Sequence, residues 1–113
     1  ELHPGFSQAA LREVHAELGV TTVAWSPLGR GEVLAHRELD RVAREVGATP
    51  AQVALRWAMS LGCVVIPKSA RSVRLSQNLA AAGVRLTREQ ILAISALDDA
   101  EGSGRIFEDP RCF

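Results

Sequence analysis

Lys68, Ser69, Ser72, Arg74 and Asn78 are the residues whose types and spacing best suit chemistry. They follow the apolar run Val64-Val65-Ile66, with Pro67 between. The run is β-branched and does not alternate, the pattern of a strand covered on both faces. Proline cannot donate to a ladder, so the strand is expected to end at Pro67. A helix is expected from about Ser72 to Ala82. Arg74 and Asn78, four apart, then share one face near its start. A positive helix N-terminus, two hydroxyls, Lys68 and Arg74 meet in one small volume. Such a cradle suits an anion, and a phosphate best of all. On charge pattern alone, Lys68 and Arg74 read equally well as solvated side chains, because a helix N-terminus does not favour cations.

The elements that must position this cradle can be read in chain order. Glu1-Leu2-His3 is expected to lie in or at the end of a strand, closed by the turn Pro4-Gly5. Ser7 is expected to cap a helix reaching about Leu18, with Leu11, Val14 and Leu18 on one face and Gly19 as its stop. Val20 to Trp25 is a second β-branched run. Ser26-Pro27-Leu28-Gly29-Arg30-Gly31 follows as a loop whose backbone can approach a ligand closely. Leu39, Val42, Ala43 and Val46 carry a helical period closed by Gly47. Thr49-Pro50-Ala51-Gln52 is a capping box with proline at the first helical position. The helix after it bears Val53, Ala54, Trp57, Ala58 and Leu61, and is apolar enough to be well buried, with Trp57 in the core. Gly62 ends it. The segment beyond is β-branched and ends in proline, which excludes a helix-turn-helix. Thr87-Arg88-Glu89-Gln90 opens a last helix carrying Ile91, Ile94 and Leu97. Asp98 to Phe113 reads as a polar tail, either wrapping as an ordered loop or trailing off. Strands alternating with helices make a parallel α/β unit.

Composition narrows the function classes. The 113 residues suffice for one compact domain, and 47% hydrophobic content argues for order. Thirteen basic and thirteen acidic residues balance to +0, which suggests neither a nucleic-acid footprint nor an anionic membrane partner. No apolar run approaches the ~20 residues of a membrane span. No basic-then-apolar leader opens the chain, and a cytoplasmic setting is the expectation. Cys63 is expected to be a free core thiol, and a disulfide or metal site with Cys112 is not expected. His3 reads as a structural histidine, and Asp98-Asp99 as a solvated helix end.

Four blocks, taken together in order and spacing, resemble the aldo-keto reductase family. They are Glu1-Leu2-His3-Pro4, Trp25-Ser26-Pro27-Leu28-Gly29, Thr49 through Trp57, and Ile66-Pro67-Lys68-Ser69 with Asn78 ten residues past the lysine. The resemblance covers the whole chain. It implies a (β/α)8 TIM barrel of which residues 1–97 are the C-terminal part, about strands 6–8 with their helices, and 98–113 the C-terminal loop. It also implies NADPH-dependent reduction of small-molecule aldehydes and ketones, without metal. Residue by residue, Trp25 matches the aromatic position that stacks on the nicotinamide. Tyrosine is usual there, and tryptophan keeps the π-face. Ser26 and Leu28 match the loop that follows the pyrophosphate. Lys68, Ser69 and Arg74 match positions that grip the 2′-phosphate, and Gln77 and Asn78 match positions at the adenine. The family's catalytic tetrad (aspartate, tyrosine, lysine, histidine) belongs to the first four strands. This chain has no tyrosine, and none of His3, His15 or His36 matches the catalytic histidine. The isolated chain is therefore expected to be an inactive piece, prone to self-association through its open barrel edges. A non-catalytic binding subunit, regulating a partner such as a membrane channel, is the alternative.

Overall fold

The computed structural model describes residues 1–98 and 104–112. Five helices and one small parallel sheet make up its regular elements. They run α1 (Ala9–Glu17), β1 (Val23–Ala24), α2 (Arg37–Val46), α3 (Pro50–Ser60), β2 (Val64–Val65), α4 (Ser72–Ala80) and α5 (Arg88–Ser95). Short 3-10 segments cover Gly29–Ala35, Ala81–Gly83 and Pro110–Cys112.

α3 is the centre. Its start is fixed by the expected capping box: the Gln52 amide donates to Thr49 Oγ1 at 3.2 Å, and the Thr49 amide to Gln52 Oε1 at 2.9 Å. Val53, Ala54, Trp57 and Ala58 of α3 are fully buried and pack with Leu39, Val42 and Ala43 of α2, Ile94 of α5 and Ala24 of β1. The Trp57 indole N–H donates to Ser95 Oγ at 2.9 Å, which in turn donates to the Ile91 carbonyl at 2.8 Å. α2 ends at Gly47, whose φ of 67° is the left-handed cap that glycine supplies at least cost. Thr87 opens α5 with a second capping box.

Several expectations need correction. The strands are far shorter than the runs that encode them, with Val23 beside Val64 and Ala24 beside Val65 in parallel register. No strand forms at Glu1–His3. That segment touches the sheet through the Leu2 amide, which donates to the Trp25 carbonyl at 3.0 Å, and closes on itself in a His3–Phe6 bridge. The strands are also not covered on both faces: Ala24 is buried, but Val23 is 53% exposed and Val64 50%. One sheet face lies on α3, and nothing among the described residues covers the other. The same holds for α1, where Leu11, Val14 and Leu18 share a face and are all exposed. Ser7 does not cap α1. Gln8 stands at that position in a left-handed conformation without a side-chain bond. Ser7 instead donates both its amide and its hydroxyl to the Asp98 carboxylate, so Asp98 is a tether and not simply a solvated helix end. Asp99 lies outside the described residues. α4 stops at Ala80, and the segment expected to complete it tightens into the 3-10 turn. Cys63 is a buried free thiol, and Cys112 is free and exposed.

Candidate functional site

The eight residues singled out from the sequence, Trp25, Ser26, Leu28, Lys68, Ser69, Arg74, Gln77 and Asn78, all line one cleft of about 780 Å³. Three segments bring them there: the loop after β1, the turn after β2, and α4. Pro67 ends the β2 ladder, and Ser69 Oγ then accepts from the Arg71 amide at 3.1 Å, which turns the chain into α4. Arg71 stands at the N-cap with no side-chain cap bond, so the first-turn amides of α4 keep their donors for a ligand or water. Gln52 has a second task, since its Nε2 donates to the Gln77 carbonyl at 3.1 Å. The capping box of α3 thereby also seats α4 against the cleft.

The cleft is electrostatically one-sided. Lys68, Arg74 and a third cation, Arg30, line it with no aspartate or glutamate among the described lining residues. None of the three forms an ion pair with a described residue. Such a lining can hold an anion with several donors and no competing acid. It contains no cluster suited to a cation: among the described residues, no three His, Cys, Asp or Glu side chains come together as a metal site.

Trp25, 47% exposed, also lines the cleft, and its ring lies 4.3 Å from that of Phe107, centroid to centroid, at 53°. Phe107 comes from the tail and is held by a buried clamp that sequence reasoning missed. The Glu1 carboxylate accepts from the amides of Ile106 at 2.8 Å and Phe107 at 3.2 Å, and from His3 Nε2 at 3.0 Å. His3 is thus structural, as expected, and its Nδ1 accepts from the Gly5 amide at 3.2 Å. The approach is tight at Gly104, where a Cβ would fall 1.6 Å from the Gly5 carbonyl oxygen, so only glycine fits. Arg105 lies over the Phe6 ring at 4.6 Å. Phe113, the other aromatic of the tail, lies outside the described residues.

Burial alone would raise the Glu1 carboxyl, but the Ile106 amide, His3 and the Phe107 amide outweigh it and hold the group below the ordinary carboxylate range. A depressed folded value means the clamp adds stability above the unfolded value and loses it as pH falls through the folded one. Glu1→Ala in the full-length protein should cost about 2 kcal/mol, the scale of lost hydrogen bonds to a charge, and free the strap at residues 104–108. Acrylamide quenching of the Trp25 emission, taken as the difference between the protein and its Trp25→Phe variant, checks this, because Trp25 reports the loss of Phe107. Wild-type protein should show the same rise in quenching below the ordinary carboxylate range, and Glu1→Ala should lack that acid step. An identical acid step in both would disprove the clamp.

The sequence profile described as the Aldo/keto reductase family matches residues 3–99. The chain belongs to that family. Aldo-keto reductases are oxidoreductases built on a (β/α)8 barrel, of which these residues form a partial α/β piece. An aldo-keto reductase of Mycobacterium sp. (strain JLS) is 45% identical over 100% of this chain and 40% of its own length. The 2,5-diketo-D-gluconic acid reductase B of Corynebacterium sp. (strain SHS752001) is 46% identical over 97% of this chain and 39% of its own. The crystal structure of a Gox0644 mutant in complex with NADPH superposes with a TM-score of 0.91 at 41% identity, over 98% of this chain and 40% of that one. The chain therefore spans about 40% of the length of the aldo-keto reductases it matches. No helix among the described residues is long and apolar enough to cross a membrane.

Arg30 and Glu1 are the functional candidates that sequence reasoning missed. A signal for Arg30 was present, a cation between Gly29 and Gly31 in a loop already read as ligand-approaching. Glu1 carried none, because the two tail amides it holds lie more than a hundred residues away.

Proposed function

We propose that the full-length protein containing this chain reduces small aldehydes and ketones to alcohols with NADPH. The observation that carries this reading is the acid-free cleft, in which three cations and the uncapped α4 terminus face the same space as an exposed tryptophan. The residues present fit the cofactor's two ends: cationic donors for phosphates and a π-face for a planar ring.

Residues 1–97 contribute about strands 6–8 of the barrel with their helices, and 98–113 its C-terminal loop. Lys68, Ser69 and Arg74 grip the adenosine 2′-phosphate, and Gln77 and Asn78 contact the adenine. Ser26 and Leu28 follow the pyrophosphate, and Trp25 stacks on the nicotinamide. When bound, the cofactor supplies the hydride that adds to the carbonyl carbon. The chain's own part is affinity, orientation and the preference for a 2′-phosphorylated nucleotide. Protonation of the carbonyl oxygen falls to the tetrad outside these residues. The bare sheet face, with Val23 and Val64 exposed, supports a barrel remainder packing there. The test is NADPH oxidation with a simple aromatic aldehyde. Full-length protein should turn over with NADPH and far more slowly with NADH, and the 113-residue chain should not turn over at all. No NADPH oxidation by the full-length protein with any of a panel of aldehydes and ketones, or turnover by the isolated chain, would contradict the reading.

A further inference from the structure

We infer that Phe107 holds the nicotinamide's place on Trp25 in the free protein, and that the strap at residues 104–108 must withdraw before the nicotinamide end of the cofactor can seat. The inference rests on the reading of Trp25 as the nicotinamide platform and of the loop after β1 as the one that follows the pyrophosphate. It adds an autoinhibitory contact to that site.

Three observations carry it. First, Phe107 lies on the platform itself. Its ring centroid is 4.3 Å from that of Trp25, too close for another ring to enter between them. Second, Phe107 covers Trp25 on the side toward the loop after β1. Arg30 of that loop has its Cζ 4.8 Å from the Phe107 centroid, so the ring bridges Trp25 and the loop. A single ribose joins the nicotinamide to the pyrophosphate. That tether brings the nicotinamide to Trp25 from the side of the loop, into the space Phe107 fills. All three side chains line the one cleft. Third, the strap is fastened by a side chain and not by a ladder. Among the described residues, no backbone–backbone hydrogen bond ties residues 104–108 to the rest of the chain. The amides of Ile106 and Phe107 both donate to the Glu1 carboxylate, at 2.8 and 3.2 Å. A segment hydrogen-bonded in this way opens at lower cost than a paired core strand. Glu1 does not line the cleft, so it acts on the cofactor through the strap. Trp25 thus has two competing partners, one on the chain and one on the cofactor. Apparent affinity falls in proportion to the fraction of molecules whose platform is open.

The experiment is calorimetric titration of full-length wild type, Phe107→Ala and Glu1→Gln with NADPH and with adenosine 2′,5′-bisphosphate, which has no nicotinamide. With the platform open in about a tenth of wild-type molecules or fewer, Phe107→Ala should tighten NADPH about tenfold or more. The bisphosphate Kd should not move, which also shows that the variant is folded. Glu1→Gln, which loosens the strap from outside the cleft, should tighten NADPH by a smaller factor, whereas mere damage to the fold would weaken it. NADPH binding that is unchanged or weaker in Phe107→Ala, with the bisphosphate still bound, overturns the inference and leaves the cofactor reading standing. Equal shifts for both ligands overturn it as well, because the contact would then not be specific to the nicotinamide end. If neither nucleotide binds wild type or Phe107→Ala, the cofactor reading and the inference fall together.

Discussion

Arg74→Ala in the full-length protein is expected to weaken NADPH by about 1.5–3 kcal/mol, the scale of a hydrogen bond to a charged group, and to leave NADH almost unchanged. The side chain sits in the first turn of α4 and lines the cleft beside Lys68 and Ser69. No described acid competes for it, so its donors are available to a phosphate. A guanidinium binds phosphate in a planar, two-bonded way that an ammonium cannot copy, so Lys68 cannot replace it fully. The two cofactors differ only in the 2′-phosphate, and their difference isolates that group. Fluorescence titration of wild type and variant with both nucleotides gives the four values needed. Equal losses for NADPH and NADH would assign Arg74 to some other part of the nucleotide.

Trp57→Ala is expected to cost more, about 3–5 kcal/mol of folding stability. The indole is fully buried between α2 and α5 and hydrogen-bonded to Ser95. Truncation leaves a cavity and strips Ser95 Oγ of its donor. Against a total of roughly 5–15 kcal/mol for a typical domain, the loss is a large share. Its reach extends to the site, because α3 presents Thr49, Pro50 and Ala51 to the cleft and seats α4 through Gln52. Urea unfolding of wild type, Trp57→Ala and Trp57→Phe separates the contributions. Phenylalanine keeps most of the volume and should lose only about 1–2 kcal/mol. A loss under 1 kcal/mol for the alanine variant would mean that the α2–α3–α5 core does not hold the fold.

What the sequence disclosed was local. The capping boxes at Thr49 and Thr87, the left-handed stop at Gly47 and the apolar surface of α3 each depend on residues within a turn of one another. The grouping of Lys68, Ser69, Arg74, Gln77 and Asn78 depends on one strand end and one helix, and it too was legible. What stayed hidden depends on distant or absent partners. The runs Val20–Trp25 and Val64–Ile66 have the composition of strands buried on both faces, yet among the described residues nothing covers one face. Composition records the environment a segment is built for, and only packing decides whether that environment is present. Ser7 had every mark of a helix cap, but its amide and hydroxyl both donate to the carboxylate of Asp98, ninety-one residues on. The Glu1 clamp on Ile106 and Phe107 joins the two ends of the chain and has no periodicity to betray it. Arg30 took its place through three successive left-handed residues, and only the two glycines hinted at this.

The central claim is that the turn from Ser69 to Arg74 cradles the extra phosphate of the nucleotide. Amide chemical-shift changes on titrating the full-length protein with adenosine 2′,5′-bisphosphate, and separately with adenosine 5′-monophosphate, test it most directly. Large shifts at the amides of residues 69–74 with the bisphosphate, and small ones there with the monophosphate, are the predicted result. Equal shifts with both, or shifts from the bisphosphate that bypass this turn, would contradict it.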